Sequence, residues 1–150
     1  MPLIEVETEI DADLQTCFDL ARDIDFYQES LREPTEIPVR GKISGKIEKG
    51  DYITWETNHL IFTQHLVLKV TDYISPSLFV DEMVKGDFKS YKHEHIFKKN
   101  NNKTVMKNRF YFESPMGVLG KVVDNVFLKR HMKKLLISRN IKLKEKAESL

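Results

Sequence analysis

The chain has 150 residues, 41% of them hydrophobic and 31% charged, with 24 basic and 23 acidic side chains for a formal net charge of +1. A chain of this length buries roughly 70% of the surface it exposes when unfolded, so it can build a core without covalent staples. The composition excludes a disordered chain, and the near-balance of charge argues against a general nucleic-acid binder, which needs a large basic excess.

Leu3 to Ile10 alternates, with Ile4, Val6, Thr8 and Ile10 on one face and Glu5, Glu7 and Glu9 on the other. That is a half-buried strand with an acidic, solvated side. Asp11 or Asp13 then caps a helix carrying Leu14, Cys17, Phe18 and Ala21 at helical spacing. A second short helix is expected over Ile24 to Leu31, and Pro34 and Pro38 end this helical part. From Val39 the pattern is β. Strands are predicted at Val39–Ile47, Tyr52–Thr57, Leu60–Tyr73, Leu78–Val84, Phe88–Lys98 and Thr104–Glu113. Turn residues such as Gly50-Asp51, Ser75-Pro76-Ser77, Gly86-Asp87 and Asn100-Asn101-Asn102 punctuate them. Such short connections favour antiparallel pairing of consecutive strands.

Ser114 and Pro115 suit the start of a long helix from about Met116 towards Glu145. Its apolar stripe runs through Leu119, Val122, Val123, Val126 and Phe127, and continues, shifted around the helix, in Leu128, Met132, Leu135 and Leu136. Lys129, Arg130, Lys133, Lys134 and Arg139 are expected on the solvated sides, and Lys144 to Leu150 is expected to fray. No linker, repeat or low-complexity tract interrupts the chain, so a single domain over residues 1–150 is expected. Cys17 is the only cysteine, which excludes an internal disulfide. No leader-like segment and no apolar run near the ~20 residues of a membrane span is visible. A cytoplasmic protein without integral membrane association is the expectation.

A curved antiparallel sheet of about seven strands closed by a long C-terminal helix is an α+β arrangement in which the sheet grips the helix. It tends to leave an apolar pocket between its layers. The most informative strand is the one from Phe88 to Lys98. Alternation places Tyr91, His93, His95 and Phe97 on one face and Ser90, Lys92, Glu94 and Ile96 on the other. The first set is aromatic and amphipathic, so it is expected to face the cavity. On the preceding strand Phe79, Asp81 and Met83 share a face. A turn at Lys85-Gly86-Asp87 would set Asp81 opposite Tyr91 and Phe79 opposite His93, leaving Asp81 to orient or charge a histidine. Gly117 and Gly120 either permit close approach of the long helix or only tune its first turn.

Phe79-Val80-Asp81-Glu82, Gly86-Asp87-Phe88, His93-Glu94-His95-Ile96-Phe97 and the helix opening Ser114-Pro115-Met116-Gly117-Val118-Leu119-Gly120 resemble the START-related SRPBCC superfamily. That group includes the major birch-pollen allergen, START domains and polyketide cyclase-like proteins. The resemblance is closest to bacterial ligand-binding SRPBCC proteins, sometimes labelled cell-division inhibitors. It covers much of the second half by motif and the first half by layout. The family pattern has a proline after Gly86, where this chain has Asp87. The resemblance implies the helix-grip fold and an internal hydrophobic cavity but no particular ligand or reaction.

The leading expectation is a binder of a small, mostly apolar molecule, lipid-like or polycyclic, with no cofactor. The expected lining is Trp55, His65, Phe79, Asp81, Met83, Tyr91, His93, His95, Phe97, Phe110, Phe112, Val122 and Val126. The first alternative is a polyketide cyclase- or dehydrase-like enzyme, with His93 or His95 as proton shuttle and Asp81 as orienter. The second is a ligand-free interaction protein, for which a homodimer is one possible assembly. His-X-His on a strand also points two metal ligands one way, but no cysteine pair or helical zinc motif accompanies it, so no metal is expected.

Overall fold

The computed structural model describes residues 3–31, 36–59, 62–113 and 125–150. Strand β1 (Leu3–Ile10) leads into helices α1 (Leu14–Ala21) and α2 (Ile24–Ser30). Strands β2 (Glu36–Gly41), β3 (Tyr52–His59), β4 (Phe62–Ile74), β5 (Leu78–Gly86), β6 (Ser90–Asn100) and β7 (Lys103–Glu113) follow. Helix α3 (Asn125–Glu148) closes the chain. Among the described residues the seven strands form one antiparallel sheet in the order β1-β7-β6-β5-β4-β3-β2. The predicted α+β helix-grip layout is thus the observed one.

Local chemistry explains the short helices. Asp13 accepts from the Thr16 backbone N–H at 3.3 Å and caps α1, while Asp23 caps α2 through Phe26 N–H at 3.1 Å. Phe18 of α1 is fully buried, with the rings of Tyr73, Phe79 and Phe97 edge-on at 5.5, 5.7 and 5.4 Å. This aromatic knot fastens α1 to the sheet.

Three differences from the sequence reading bear on the site, the first at β2. The strand expected at Val39–Ile47 instead starts at Glu36, includes Pro38 and stops at Gly41. β2 has a neighbour on one side only, so a residue without an N–H is tolerated there. Gly41 turns the chain with a positive φ of 78°, and a Cβ there would collide with the Tyr52 carbonyl. Beyond it, Gly45 and Ile47 bond to the backbone of Ile24 and Arg22 rather than continuing the sheet.

The second difference is register. β5 and β6 pair Asp81 with His93 and Phe79 with His95, two residues away from the expected alignment. Met83 and Gly86 pair with Leu68 and Leu66 of β4, so β6 starts only at Ser90 and the turn is longer. A slip of two preserves which face each side chain takes, so Asp81 still shares a face with the histidines.

The third concerns α3. The expected stripe at Leu119–Phe127 lies mostly outside the described residues, as do Ser114 to Gly120 and Val122. Within α3 the buried positions are Leu128, Met132, Leu136, Asn140, Leu143 and Ala147. Val126 is 67% exposed, because it lies away from that line. The C-terminus does not fray at Lys144. Buried Leu143 and Ala147 hold the last turns, Lys144 Nζ donates to the Glu9 carbonyl at 2.6 Å, and Asp11 N–H donates to Glu148 at 2.8 Å.

Candidate functional site

A cavity lies between the inner face of the sheet, α2 and α3, and it has two adjoining lobes. The inner lobe, about 100 Å³, is walled by Ile53, Trp55, Leu66, Val70, Phe79 and Phe88. The outer lobe, about 300 Å³, is walled by Leu31, Phe110, Leu135 and Leu136. Tyr27, Glu36, Tyr91, His93, Met132 and Arg139 border both. The outer lobe falls at the lower end of the size of pockets that hold small organic molecules.

The β6 face predicted to point inward does so. His93 and His95 are 3% and 4% exposed and form the middle of a stack of four rings. Phe79 lies on His95 at 4.1 Å, His95 on His93 at 3.8 Å, and His93 on Phe110 at 5.2 Å between centroids. Cross-strand pairing builds the stack, since Phe79 faces His95 and His93 faces Phe110 across neighbouring strands.

One asparagine fixes the protonation of both imidazoles. Asn140 Nδ2 on α3 donates to Asn108 Oδ1 at 2.8 Å and reaches Thr8 Oγ1 at 3.4 Å. Asn108 Nδ2 then has two hydrogens to give, and it lies 3.0 Å from His93 Nε2 and 3.4 Å from His95 Nδ1. Both nitrogens therefore accept. His95 keeps its proton on Nε2 and donates it to Asp81 Oδ2 at 3.1 Å. The His95–Asp81 contact thus joins a neutral imidazole to a carboxyl group rather than forming an ion pair. Burial pushes the pKa of each histidine well below 6.5, and two cations 3.8 Å apart would repel by about 4 kcal/mol at an effective dielectric constant of 20. Burial also lifts Asp81 from 3.8 up to about 7, against the pull of the Arg139 charge.

Arg139, expected on the solvated side of the helix, instead turns into the cavity, with its guanidinium 4.9 Å above the Tyr27 ring. Its stem follows the same helix face as Met132 and Leu136, which carries the charge inward. Tyr27 donates a hydrogen bond to Glu36, whose pKa burial raises. Burial opposes the Arg139 charge, but Tyr27, Tyr91 and Glu36 around it hold the guanidinium charged.

Several expected lining residues lie elsewhere. His65 is exposed beside Glu56 on the outer face, because its neighbour Leu66 takes the inward position. Phe97 is packed under Phe18 and Phe79, and Phe112 against Phe88 and Phe110, so both belong to the filled core. Met83 packs half-buried against the core where β5 bulges against β4, outside both lobes. Trp55, Phe79, Asp81, Tyr91, His93, His95 and Phe110 border the cavity. The sequence reading missed Tyr27, Glu36, Asn108, Arg139 and Asn140 as site residues. Asn140 had a signal, as a polar residue in the line Leu128, Met132, Leu136 and Leu143; Glu36 had none. Among the described residues no three His, Cys, Asp or Glu side chains gather to hold a metal, and no helix is long and apolar enough to cross a membrane.

The histidines and the carboxyl groups of the site pull stability in opposite directions with pH. Each histidine has its pKa depressed by folding, so its contribution is present above pH 6.5 and is lost as pH falls. Asp81 has its pKa raised, so its contribution is full below 3.8 and is lost as pH rises towards about 7. Glu36, also raised by burial, acts in the same direction as Asp81. Asp81→Asn removes one of the two opposing carboxyls, so urea titrations at pH 7 and pH 5 should show stability falling more steeply towards pH 5 in the variant than in the parent protein.

The sequence matches no family model and no curated protein. Solved structures match over nearly the whole chain. TTHA0849 from Thermus thermophilus is 15% identical with a TM-score of 0.72, covering 95% of this chain and 97% of that one. A START superfamily protein from Mycobacterium smegmatis is 13% identical with a TM-score of 0.69, covering 98% and 97%. Ara h 8.0201 is 9% identical with a TM-score of 0.70, covering 99% of each chain. Identities this low establish architecture and not activity. With its seven-stranded curved sheet, paired short helices after β1 and long C-terminal helix, the chain has the helix-grip fold of the START-related SRPBCC superfamily.

Proposed function

We propose that the protein binds a small, mostly apolar molecule, lipid-like or polycyclic, in the cavity between the sheet and α3. One observation carries this reading. The exposed wall of each lobe is mostly apolar, and five polar side chains, Tyr27, Glu36, Tyr91, His93 and Arg139, border both lobes, while Arg22, Asp23, Asp51, Thr57, Asp81 and His95 border the inner lobe alone. An apolar wall supplies affinity and a few placed polar groups orient the guest. The ligand is therefore an apolar body with one polar group directed at Arg139.

Native mass spectrometry of protein purified without added ligand tests the reading directly, since a retained mass identifies the guest. Trp55, the sole tryptophan, borders the inner lobe and reports occupancy by its emission. Titration with a fatty acid, a sterol and a polycyclic aromatic should give a saturable change with at least one of them. Arg139→Met should weaken a guest with a carboxylate or carbonyl about tenfold, the worth of a charge-assisted hydrogen bond, and leave a pure hydrocarbon nearly unaffected. No retained mass together with no saturable response from any probe would overturn the proposal.

The enzymatic reading has one observation in its favour, the His95–Asp81 contact on the cavity wall. Against His95 as the shuttle, both its ring nitrogens are already engaged, by Asn108 and by Asp81; His93, the other candidate, gives Nε2 to Asn108 and has no carboxylate partner of its own among the described residues. A proton shuttle needs a nitrogen free to meet the substrate.

A further inference from the structure

We infer that the outward face of α3 docks on an anionic phospholipid surface. This surface lies outside the cavity and does not depend on what fills it. From Val126 to Lys144 the helix has seven basic residues and no Asp or Glu, although the chain as a whole is nearly neutral. Arg139 turns inward and Lys144 is held by Glu9 and Glu148. The other five, Lys129, Arg130, Lys133, Lys134 and Lys142, are exposed, and among the described residues none is paired with a carboxylate.

Apolar side chains stand among these cations. Val126, Ile137 and Ile141 are 67%, 38% and 49% exposed. At about 100° per residue they fall within about 60° of one another around the helix, with Arg130, Lys133 and Lys134 on or beside the same arc. An ordinary solvated helix face mixes charge signs and pairs them at i,i+4. The outer face of β1 shows that ordinary pattern, where Glu5 meets Lys107 and Glu9 meets Lys103. Branched apolar side chains ringed by cations of one sign fit a bilayer interface, with the apolar groups entering the acyl boundary and the lysines meeting the headgroups. Leu135 and Ser138, from the same turns, border the outer lobe, so a docked helix would set that lobe beside the lipid.

The test is sedimentation of the full chain with vesicles of phosphatidylcholine alone and of phosphatidylcholine mixed with phosphatidylserine. Binding is expected to the mixed vesicles only, and it should fall steeply as salt rises. Lys133→Gln with Lys134→Gln should weaken binding about twentyfold or more, at about fivefold per cation removed. Ile137→Ser with Ile141→Ser should weaken it while keeping its salt dependence. All four positions are exposed, so circular dichroism should show the variants folded. Equal binding to both vesicles, no binding at low salt, or indifference to both double variants would overturn the inference. So would a self-association or a capture of duplex nucleic acid that uses these residues in the absence of vesicle binding. An empty cavity would leave the vesicle result standing, so this inference and the ligand reading fail separately.

Discussion

Asn108→Ala should cost about 4 kcal/mol of folding free energy, far more than the loss of a few side-chain atoms. Asn108 is 1% exposed, and its removal strands two buried ring nitrogens, His93 Nε2 and His95 Nδ1, and leaves Asn140 Nδ2 with only its longer contact to Thr8. Each buried polar group left without a partner costs about 1–3 kcal/mol. Relaxation of the imidazoles towards cavity water recovers part of that. Urea denaturation measures the loss, and nitrogen chemical shifts of the imidazoles show whether the two tautomers are still pinned. Asn108→Asp separates the network from the volume. It keeps the shape but replaces the donor with an acceptor, so the histidines must change tautomer or gain a proton to satisfy it, and the buried carboxylate beside them should raise the imidazole pKa. A cost below about 1 kcal/mol for Asn108→Ala, or an unchanged histidine titration in Asn108→Asp, would remove Asn108 as the organiser of the site.

Phe18→Ala should cost about 3–5 kcal/mol, the range for emptying a buried aromatic position. Phe18 is the side chain through which α1 grips Tyr73, Phe79 and Phe97, and none of those strand residues can fold over to fill the gap. Phe18→Leu retains most of the volume and should cost about 1.5 kcal/mol or less. The effect should reach the cavity through Phe79, which touches Phe18 on one side and stacks on His95 on the other. The histidine resonances should therefore shift in Phe18→Ala. Trp55, packed edge-on against Tyr27 at 5.2 Å, should keep its emission.

Local periodicity carried much of this protein on its own. The two-residue alternation of β1, β6 and β7 fixed which side chains face inward, because a strand can turn only every second residue to the core. Tyr91, His93 and His95 were readable on that ground alone, and local chemistry likewise gave the order of elements and a helix cap at Asp11 or Asp13, of which the structure uses Asp13. Periodicity does not determine what stands opposite. The β5–β6 register moved by two residues because β4 claimed the end of β5, a competition between strands that no single strand encodes. It likewise cannot separate core from cavity. Phe97 and Phe112 share the inward face with His93, yet they are sealed by Phe18 and Phe88, while His93 borders open space. Nor does it tell a solvated arginine from one that turns inward. Arg139 and Lys134 look alike in the sequence. Only the approach of α2 and β2 gave Arg139 a Tyr27 ring and a Glu36 carboxyl to offset the cost of leaving water.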